Sequence, residues 1–190
     1  MIPSTVEIKI HQVLTQKMSI QSFEQWLYED DVLEFSNPDL YLELISFDYS
    51  SEDNFYYRFY DSFAKYVHFY KFEADRIKGY LNSIIDRDDK CCDVIYMMYH
   101  LYYDGYNFLN RLGMVYGVRL TDIDTSVSNS SMDGILNEFY PEIIDDAKNV
   151  LHWLEEGKIV FKSQDNSDSV FEYEDFRSEA EILRTCVRYS

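Results

Sequence analysis

The chain is poor in the residues that make turns, crosslinks and anion sites. Of 190 residues, only three are proline and six are glycine. An all-β sandwich of this length needs more turn residues than that. There are three cysteines, Cys91, Cys92 and Cys186. The adjacent pair could close only a strained vicinal bridge, and an odd count without framework spacing reads as reduced thiols. Basic residues are scarce: 17 Lys plus Arg face 35 Asp plus Glu, for a formal net charge of −18. That sign excludes the phosphate neutralisation behind nucleic-acid binding and disfavours anionic membrane surfaces. No stretch approaches the ~18 uninterrupted apolar residues of a membrane span. Met1-Ile2-Pro3-Ser4-Thr5 has neither the basic start nor the apolar core of a secretory signal. The expected compartment is the cytoplasm.

Signatures of catalysis and metal binding are missing too. The histidines are His11, His68, His100 and His152. Carboxylate-bridged metal bundles use Glu-x-x-His, but Ile8, Lys65, Met97 and Asn149 stand three residues before these histidines. Asp86, Asp88 and Asp89 resemble the start of a calcium loop, yet its sixth-position glycine and closing glutamate are absent. The run reads instead as a polar turn, with Asp89 capping the helix that follows. Cys91 falls near the start of that helix, where a thiolate is stabilised, but no histidine is near it in sequence to act as base. A packed thiol is the simpler reading. Gly105, Gly113 and Gly117 lack phosphate-loop spacing, and the Gly-x-Ser-x-Gly elbow is absent. The expectation is a protein without catalytic residues, cofactor or metal, and not an enzyme.

What the chain does hold is aromatic: 18 Tyr, 13 Phe and 2 Trp. That content is wrong for an acidic disordered chain, and the apolar positions recur at helical spacing. The spacing predicts a first helix after Pro3, with Val6, Ile10, Val13 and Leu14 on one face. A short second helix, capped by Ser22, carries Phe23, Trp26 and Leu27. Asn37-Pro38 is a helix start, Asn as cap and Pro in the first turn, followed by Leu40, Leu44 and Ile45. Phe55, Phe59, Phe63, Tyr66, Val67 and Tyr70 mark one helix over 55–70, and Ile77, Leu81, Ile84 and Ile85 another over 73–85. A long helix is expected over 91–112, ended by a left-handed Gly113. Residues 122–131 read as the main exposed loop. Helix resumes near Met132, and from Pro141 runs to a closing Gly157. The period then changes to two, giving strands over 158–162 and 170–173, and Ser178 with Glu181 forms a capping box for a terminal helix. The fold class is therefore mainly α. One domain is expected over 1–190, a bundle-like helical array over 1–157, with a small C-terminal β-hairpin and a terminal helix over 158–190.

Tyr49, Tyr56, Tyr57, Tyr66, Tyr96, Tyr99, Tyr102, Tyr103 and Tyr106 exceed the need of one core. They either fill its boundary or form a binding face, since Tyr joins large contact area to a polar tip. Aromatics among carboxylates make a patch that receives Arg and Lys by ion pairing and cation–π contact.

Four sets of segments carry a resemblance. They are Ser22-Phe23-Glu24-Gln25-Trp26-Leu27-Tyr28 with Tyr41-Leu42-Glu43-Leu44-Ile45; Ile84-Ile85-Asp86-Arg87-Asp88-Asp89; Leu101-Tyr102-Tyr103-Asp104-Gly105-Tyr106-Asn107-Phe108-Leu109 with Leu112-Gly113 and Tyr116-Gly117; and Phe139-Tyr140-Pro141-Glu142-Ile143-Ile144 with Trp153-Leu154-Glu155-Glu156-Gly157-Lys158-Ile159. Across residues 20–160 the chain resembles the small acidic immunity (antitoxin) proteins of bacterial polymorphic and contact-dependent toxin systems. The resemblance implies a cytoplasmic non-enzyme that binds and blocks one cognate toxin; it assigns no interface residues. A basic toxin, a nuclease in particular, suits the charge, because complementary fields speed encounter. The acidic turns Glu29, Asp30, Asp31, Asp48, Glu52, Asp53, Asp86, Asp88 and Asp89 are the candidate partner-binding residues. The alternatives are an acidic DNA mimic that regulates a DNA-binding protein, and a carboxylate-dependent enzyme.

Overall fold

The structure, a computed structural model, describes residues 2–29, 31–50, 54–121, 129–162 and 171–185. It is 74% helical, and among the described residues its only sheet is a two-stranded antiparallel hairpin, so the mainly α fold class with a C-terminal hairpin holds. The chain divides into two compact units, Met1–Phe69 and Tyr70–Ser190.

The first unit holds α1 (Ser4–Leu14), α2 (Ile20–Glu29), α3 (Asp31–Ser36), α4 (Pro38–Ile45) and α5 (Phe55–Phe63). α1 buries Val6, Ile10 and Val13 at the expected spacing. α2 starts earlier than the sequence suggests. Ser19, rather than Ser22, accepts the first-turn amide, with Ser22 N–H donating to Ser19 Oγ at 3.1 Å, because a cap must lie three residues before the donor it satisfies. α4 begins as expected: Asn37 Oδ1 accepts the Leu40 N–H at 3.3 Å, with Pro38 in the first turn.

The helix expected over 55–70 stops at Phe63. A 3-10 turn follows at Ala64–Tyr66, and Val67 is extended. The buried carboxylate of Glu7 accounts for the break. It accepts the His68 backbone N–H at 2.8 Å, withdrawing that amide from the helical ladder, and lies 2.9 Å from His68 Nδ1. The core of this unit is a set of crossed rings. Phe47 meets Phe55, Phe59 and Phe63 edge-on at 5.3–5.6 Å, and Phe23 meets Phe59 likewise at 5.5 Å. Such pairs add about 0.5–1.5 kcal/mol each beyond the area they bury.

The second unit opens with α6 (Tyr70–Asp86) and α7 (Cys91–Tyr103). Asp88, not Asp89, shapes the turn between them. Its carboxylate accepts the Ser83 hydroxyl and, at 2.9 Å, the Lys90 N–H, while Lys90 holds the cap position of α7 with no side-chain cap bond. Cys91 is buried in the core, and burial pushes its thiol above the usual range, as suits a packed thiol; Cys186 lies outside the described residues.

The single helix expected over 91–112 is broken at its middle. Gly105 takes φ 130°, and the chain turns so that Tyr106 enters the core. There the Tyr106 hydroxyl donates to buried Glu73 at 2.8 Å and accepts the Phe171 N–H at 2.9 Å. A 3-10 turn (Asn107–Leu109) and a π-helical segment (Leu112–Gly117) follow, then α8 (Val118–Thr121). Gly113 therefore sits inside this segment rather than ending a helix. Gly113 and Gly117 let it lie directly on α7. A Cβ at Gly113 would meet Tyr102 Cβ at 2.8 Å, and one at Gly117 would meet the Ile95 carbonyl oxygen at 2.8 Å.

α9 (Asn129–Phe139) begins before Met132, and the rest of the expected loop lies outside the described residues. α10 (Glu142–Glu155) ends as expected at Gly157, whose φ of 67° allows the Lys158 N–H to close back on the Trp153 carbonyl at 2.8 Å. β1 (Ile159–Phe161) pairs with β2 (Tyr173–Asp175), Ile159 opposite Asp175 and Phe161 opposite Tyr173. The second strand thus starts at Tyr173, where the sequence suggested it would end; the expected loop over 163–169 lies outside the described residues. Ile159 and Phe161 point inward and Val160 outward. The Ser178–Glu181 capping box forms at the head of α11 (Glu179–Thr185), with Ser178 N–H donating to Glu181 at 2.8 Å. Side chains from α6, α7, α10 and β1 make one continuous core.

Candidate functional site

The candidate carboxylates divide between the units. Glu29 ends α2 and accepts the Gln25 amide at 3.0 Å. Asp31 opens α3. Asp48 is exposed; it accepts the Ser50 N–H and O–H at 3.0 and 2.7 Å and lies 3.9 Å from Arg58 Nη1. Asp30, Glu52 and Asp53 lie outside the described residues. In the second unit, Asp86 and Asp89 are exposed. Asp88 is committed to its turn: hydrogen bonds from Ser83 first and then from Lys90 hold its carboxyl below the usual range.

The first unit shows what these acids stand among. Residues 18–57 contain ten Asp and Glu and no Lys, Arg or His. Over the same stretch the chain holds apolar side chains out in solvent. Phe35 is 83% exposed, Val32 65%, Tyr28 60% and Leu42 59%. Val32 and Phe35 stand three apart on α3 and so share a side of that short helix. α3 packs on α4, which also packs on α2, so the helices bearing these side chains adjoin. On α5, Tyr56, Tyr57 and Tyr60 are exposed as well. Leaving a Phe in water forgoes about 1.5–3 kcal/mol of burial. Single exposed apolar residues are ordinary, but several on adjoining helices mark an interaction surface.

The electrostatics of this face are uneven. Partial burial of Glu43 raises its carboxyl, but hydrogen bonds from Lys65 at 2.8 Å and Tyr66 at 2.5 Å outweigh it and hold the group below the usual range. That carboxylate is neutralised on the spot. Glu24, Glu34 and Asp39 have no ion-pair partner among the described residues. Tyr49 donates to the Leu44 carbonyl at 2.9 Å. Burial, then the nearby Glu24 carboxylate and Tyr28, push its phenol well above the ordinary range. This surface offers unpaired carboxylates, phenols and apolar rings: acceptors and π faces for arginine and lysine.

Sequence reasoning found the acidic turns but missed Glu24, Glu34, Asp39, Val32 and Phe35. A readable signal was present in the forty residues without a base, since a stretch meant only to be soluble mixes both signs. The tyrosines divide rather than choosing one role. Tyr57 and Tyr103 are exposed, whereas Tyr106 is wholly buried. Among the described residues no group of histidine, cysteine and carboxylate side chains could hold a metal, and no helix is long and apolar enough to cross a membrane. No family model matches the chain, and neither a curated protein nor a solved structure matches it.

Proposed function

We propose that the chain is a non-enzymatic cytoplasmic binding protein of the immunity kind, which neutralises a cognate basic toxin, a nuclease in particular, by covering its cationic cleft. The observation that supports this reading is the base-free acidic stretch over 18–57 that also displays Tyr28, Val32, Phe35 and Leu42. Carboxylates steer a basic partner and suppress wrong ones, and the rings supply desolvated contact area, which carries most of the energy of an interface. In this mechanism arginines and lysines that the toxin uses on phosphate groups are occupied by Glu24, Glu29, Glu34 and Asp39, and the apolar rings seal the rim. Inhibition is by occlusion and needs no chemistry from this chain.

The test is co-expression with the product of an adjacent gene, followed by purification at low and high salt and a growth assay. A stoichiometric complex with a basic protein whose toxicity disappears is the expected result. Reversing Glu24, Glu34 and Asp39 to lysine should abolish protection, and Phe35→Ala should weaken binding by about 2 kcal/mol or more. Protection that survives both sets of changes sinks the reading. Recovery of a DNA-binding protein of the cell instead identifies a DNA mimic.

A further inference from the structure

The first unit already shows how it holds a cation. Its bases over residues 1–69 are Lys9, Lys17, Arg58 and Lys65. Three of these four lie over rings. Lys9 Nζ stands 5.7 Å from the centre of the Trp26 ring, the Arg58 guanidinium 5.4 Å from that of Phe47, and Lys65 Nζ 4.8 Å from that of Tyr66. Two of the three meet oxygen acceptors as well. Lys65 donates to Glu43 at 2.8 Å. Arg58 donates to the Asp48 carbonyl at 3.2 Å, with the Asp48 carboxylate 3.9 Å away. A cation on this unit is thus met from two sides: the ring presents the negative face of its quadrupole, and the oxygens take the N–H groups.

α2 repeats the pairing of ring and carboxylate without a base. Glu24 and Tyr28 are four residues apart and so are neighbours on the helix surface. Tyr28 is 60% exposed and Glu24 is half-buried. Among the described residues no Lys or Arg makes an ion pair with Glu24 or lies over the Tyr28 ring. Tyr49 stands beside both. Burial first, then the Glu24 carboxylate and Tyr28, push its phenol up. With its hydrogen given to the Leu44 carbonyl at 2.9 Å, the Tyr49 oxygen is left as an acceptor.

The chemistry selects the group that fits. Acceptors, a π face and ten acids without a base over residues 18–57 call for a cation. Between the two cationic side chains, guanidinium suits the pair better than ammonium. It is planar and weakly hydrated, and it carries its donors in its own plane. It can therefore lie flat on a ring while its edge donates to a carboxylate. An ammonium is a compact, strongly hydrated point charge, so contact with the ring strips it of water at greater cost.

We propose that Glu24 and Tyr28 form a seat for an arginine side chain of the partner, its guanidinium flat on the Tyr28 ring and its N–H groups on Glu24. The seat belongs to the partner-binding face of the first unit and rests on that reading. NMR of the full chain, titrated at low salt with tetra-arginine amide and tetra-lysine amide, tests it. The arginine peptide should bind about threefold more tightly than the lysine peptide and shift the amides of Glu24, Tyr28 and Tyr49. Its own Cδ protons should move upfield, because protons above an aromatic ring are shielded. Tyr28→Ala should remove the upfield shift and weaken the arginine peptide about threefold, and Tyr28→Phe, which keeps the ring, should restore both. Tyr28 is exposed, so neither change disturbs the core. Glu24→Gln should weaken the arginine peptide by a similar factor. Glu155→Gln, which removes the same charge from an exposed position on α10, should leave it unchanged. Equal affinity for the two peptides, shifts confined to other residues, or undiminished binding by Tyr28→Ala would each overturn the seat. The toxin reading fails separately: arginine bound at Glu24 and Tyr28 with no toxin neutralised keeps the seat and removes the toxin. A neutralising complex that Tyr28→Ala leaves at full affinity keeps the toxin and removes the seat.

Discussion

In the first unit the rings of Phe23, Phe47, Phe55, Phe59 and Phe63 pack on one another, while Tyr28, Phe35 and Tyr57 stand in solvent. The second unit instead ties several of its tyrosine hydroxyls to fixed partners, though Tyr103 stands in solvent. Tyr106 reaches Glu73, Tyr116 donates to Asp146 at 2.7 Å, and Tyr140 donates to the Ile84 carbonyl at 2.7 Å. The charge differs in the same sense. Four Lys and Arg face twelve Asp and Glu over residues 1–69, a net −8, against thirteen and twenty-three over 70–190, a net −10 on a much longer stretch. One unit thus concentrates charge and exposed rings, and the other spends its polar aromatic groups on internal order. A surface meant for a partner must stay unsatisfied in the free protein, whereas a scaffold gains by satisfying every group it buries.

The sharpest way to break this contrast is to cut the phenylalanine stack. Phe59→Ala should cost about 3–5 kcal/mol, and hydrogen exchange should show lost protection over 1–69 with protection retained over 70–190. Simultaneous loss in both would mean that the units are not energetically distinct. Next is Gly117→Ala, which drives a methyl group against the Ile95 carbonyl and should cost about 1–3 kcal/mol by denaturant unfolding. Tyr106→Phe removes the hydroxyl shared by Glu73 and Phe171 and should cost about 1–3 kcal/mol, because both are left without that partner. Phe35→Ser, by contrast, should change stability by no more than about 0.5 kcal/mol while weakening the partner; a large destabilisation would show that this ring is structural.

The smallest effect concerns acid. Hydrogen bonds from Lys158 and then Ser178 bring the Glu181 carboxyl from the ordinary 4.5 down to about 2. A depressed carboxylate contributes stability that is complete above pH 4.5 and is lost as pH falls through 2. Carbon-detected NMR of Glu181 should show that titration, with fraying of α11 in the same window. A midpoint near 4.5 would mean that the capping box is open in solution.

The contrast also explains what could be read in advance. Asn37-Pro38, Gly157 and the Ser178–Glu181 box were legible because each acts on amides within a few residues of itself. The breaks at Ala64 and Gly105 were not. One is imposed by Glu7, 61 positions away from His68, and the other by Glu73, 33 positions from Tyr106. Helical spacing runs straight through both, and only tertiary contacts reveal them. For the surface, the exposed carboxylates Glu29 and Asp48 were legible as charge in the sequence. The exposure of Phe35 was not, because a phenylalanine two residues after Leu33 and beside Glu34 reads equally well as the inner face of a short helix.

The crossing of Gly113 and Gly117 over α7 bears on descent. A side chain at either place collides with backbone or Cβ atoms that belong to the opposing helix itself, so repacking of side chains elsewhere cannot relieve it. Exposed charges on the first unit can drift without steric cost, and the core can exchange one aliphatic residue for another. These two positions have no such freedom. A glycine pair four apart, following an aromatic helix by about one turn of chain reversal, is therefore the mark by which a diverged cousin of this molecule would betray its ancestry after its surface had become unrecognisable.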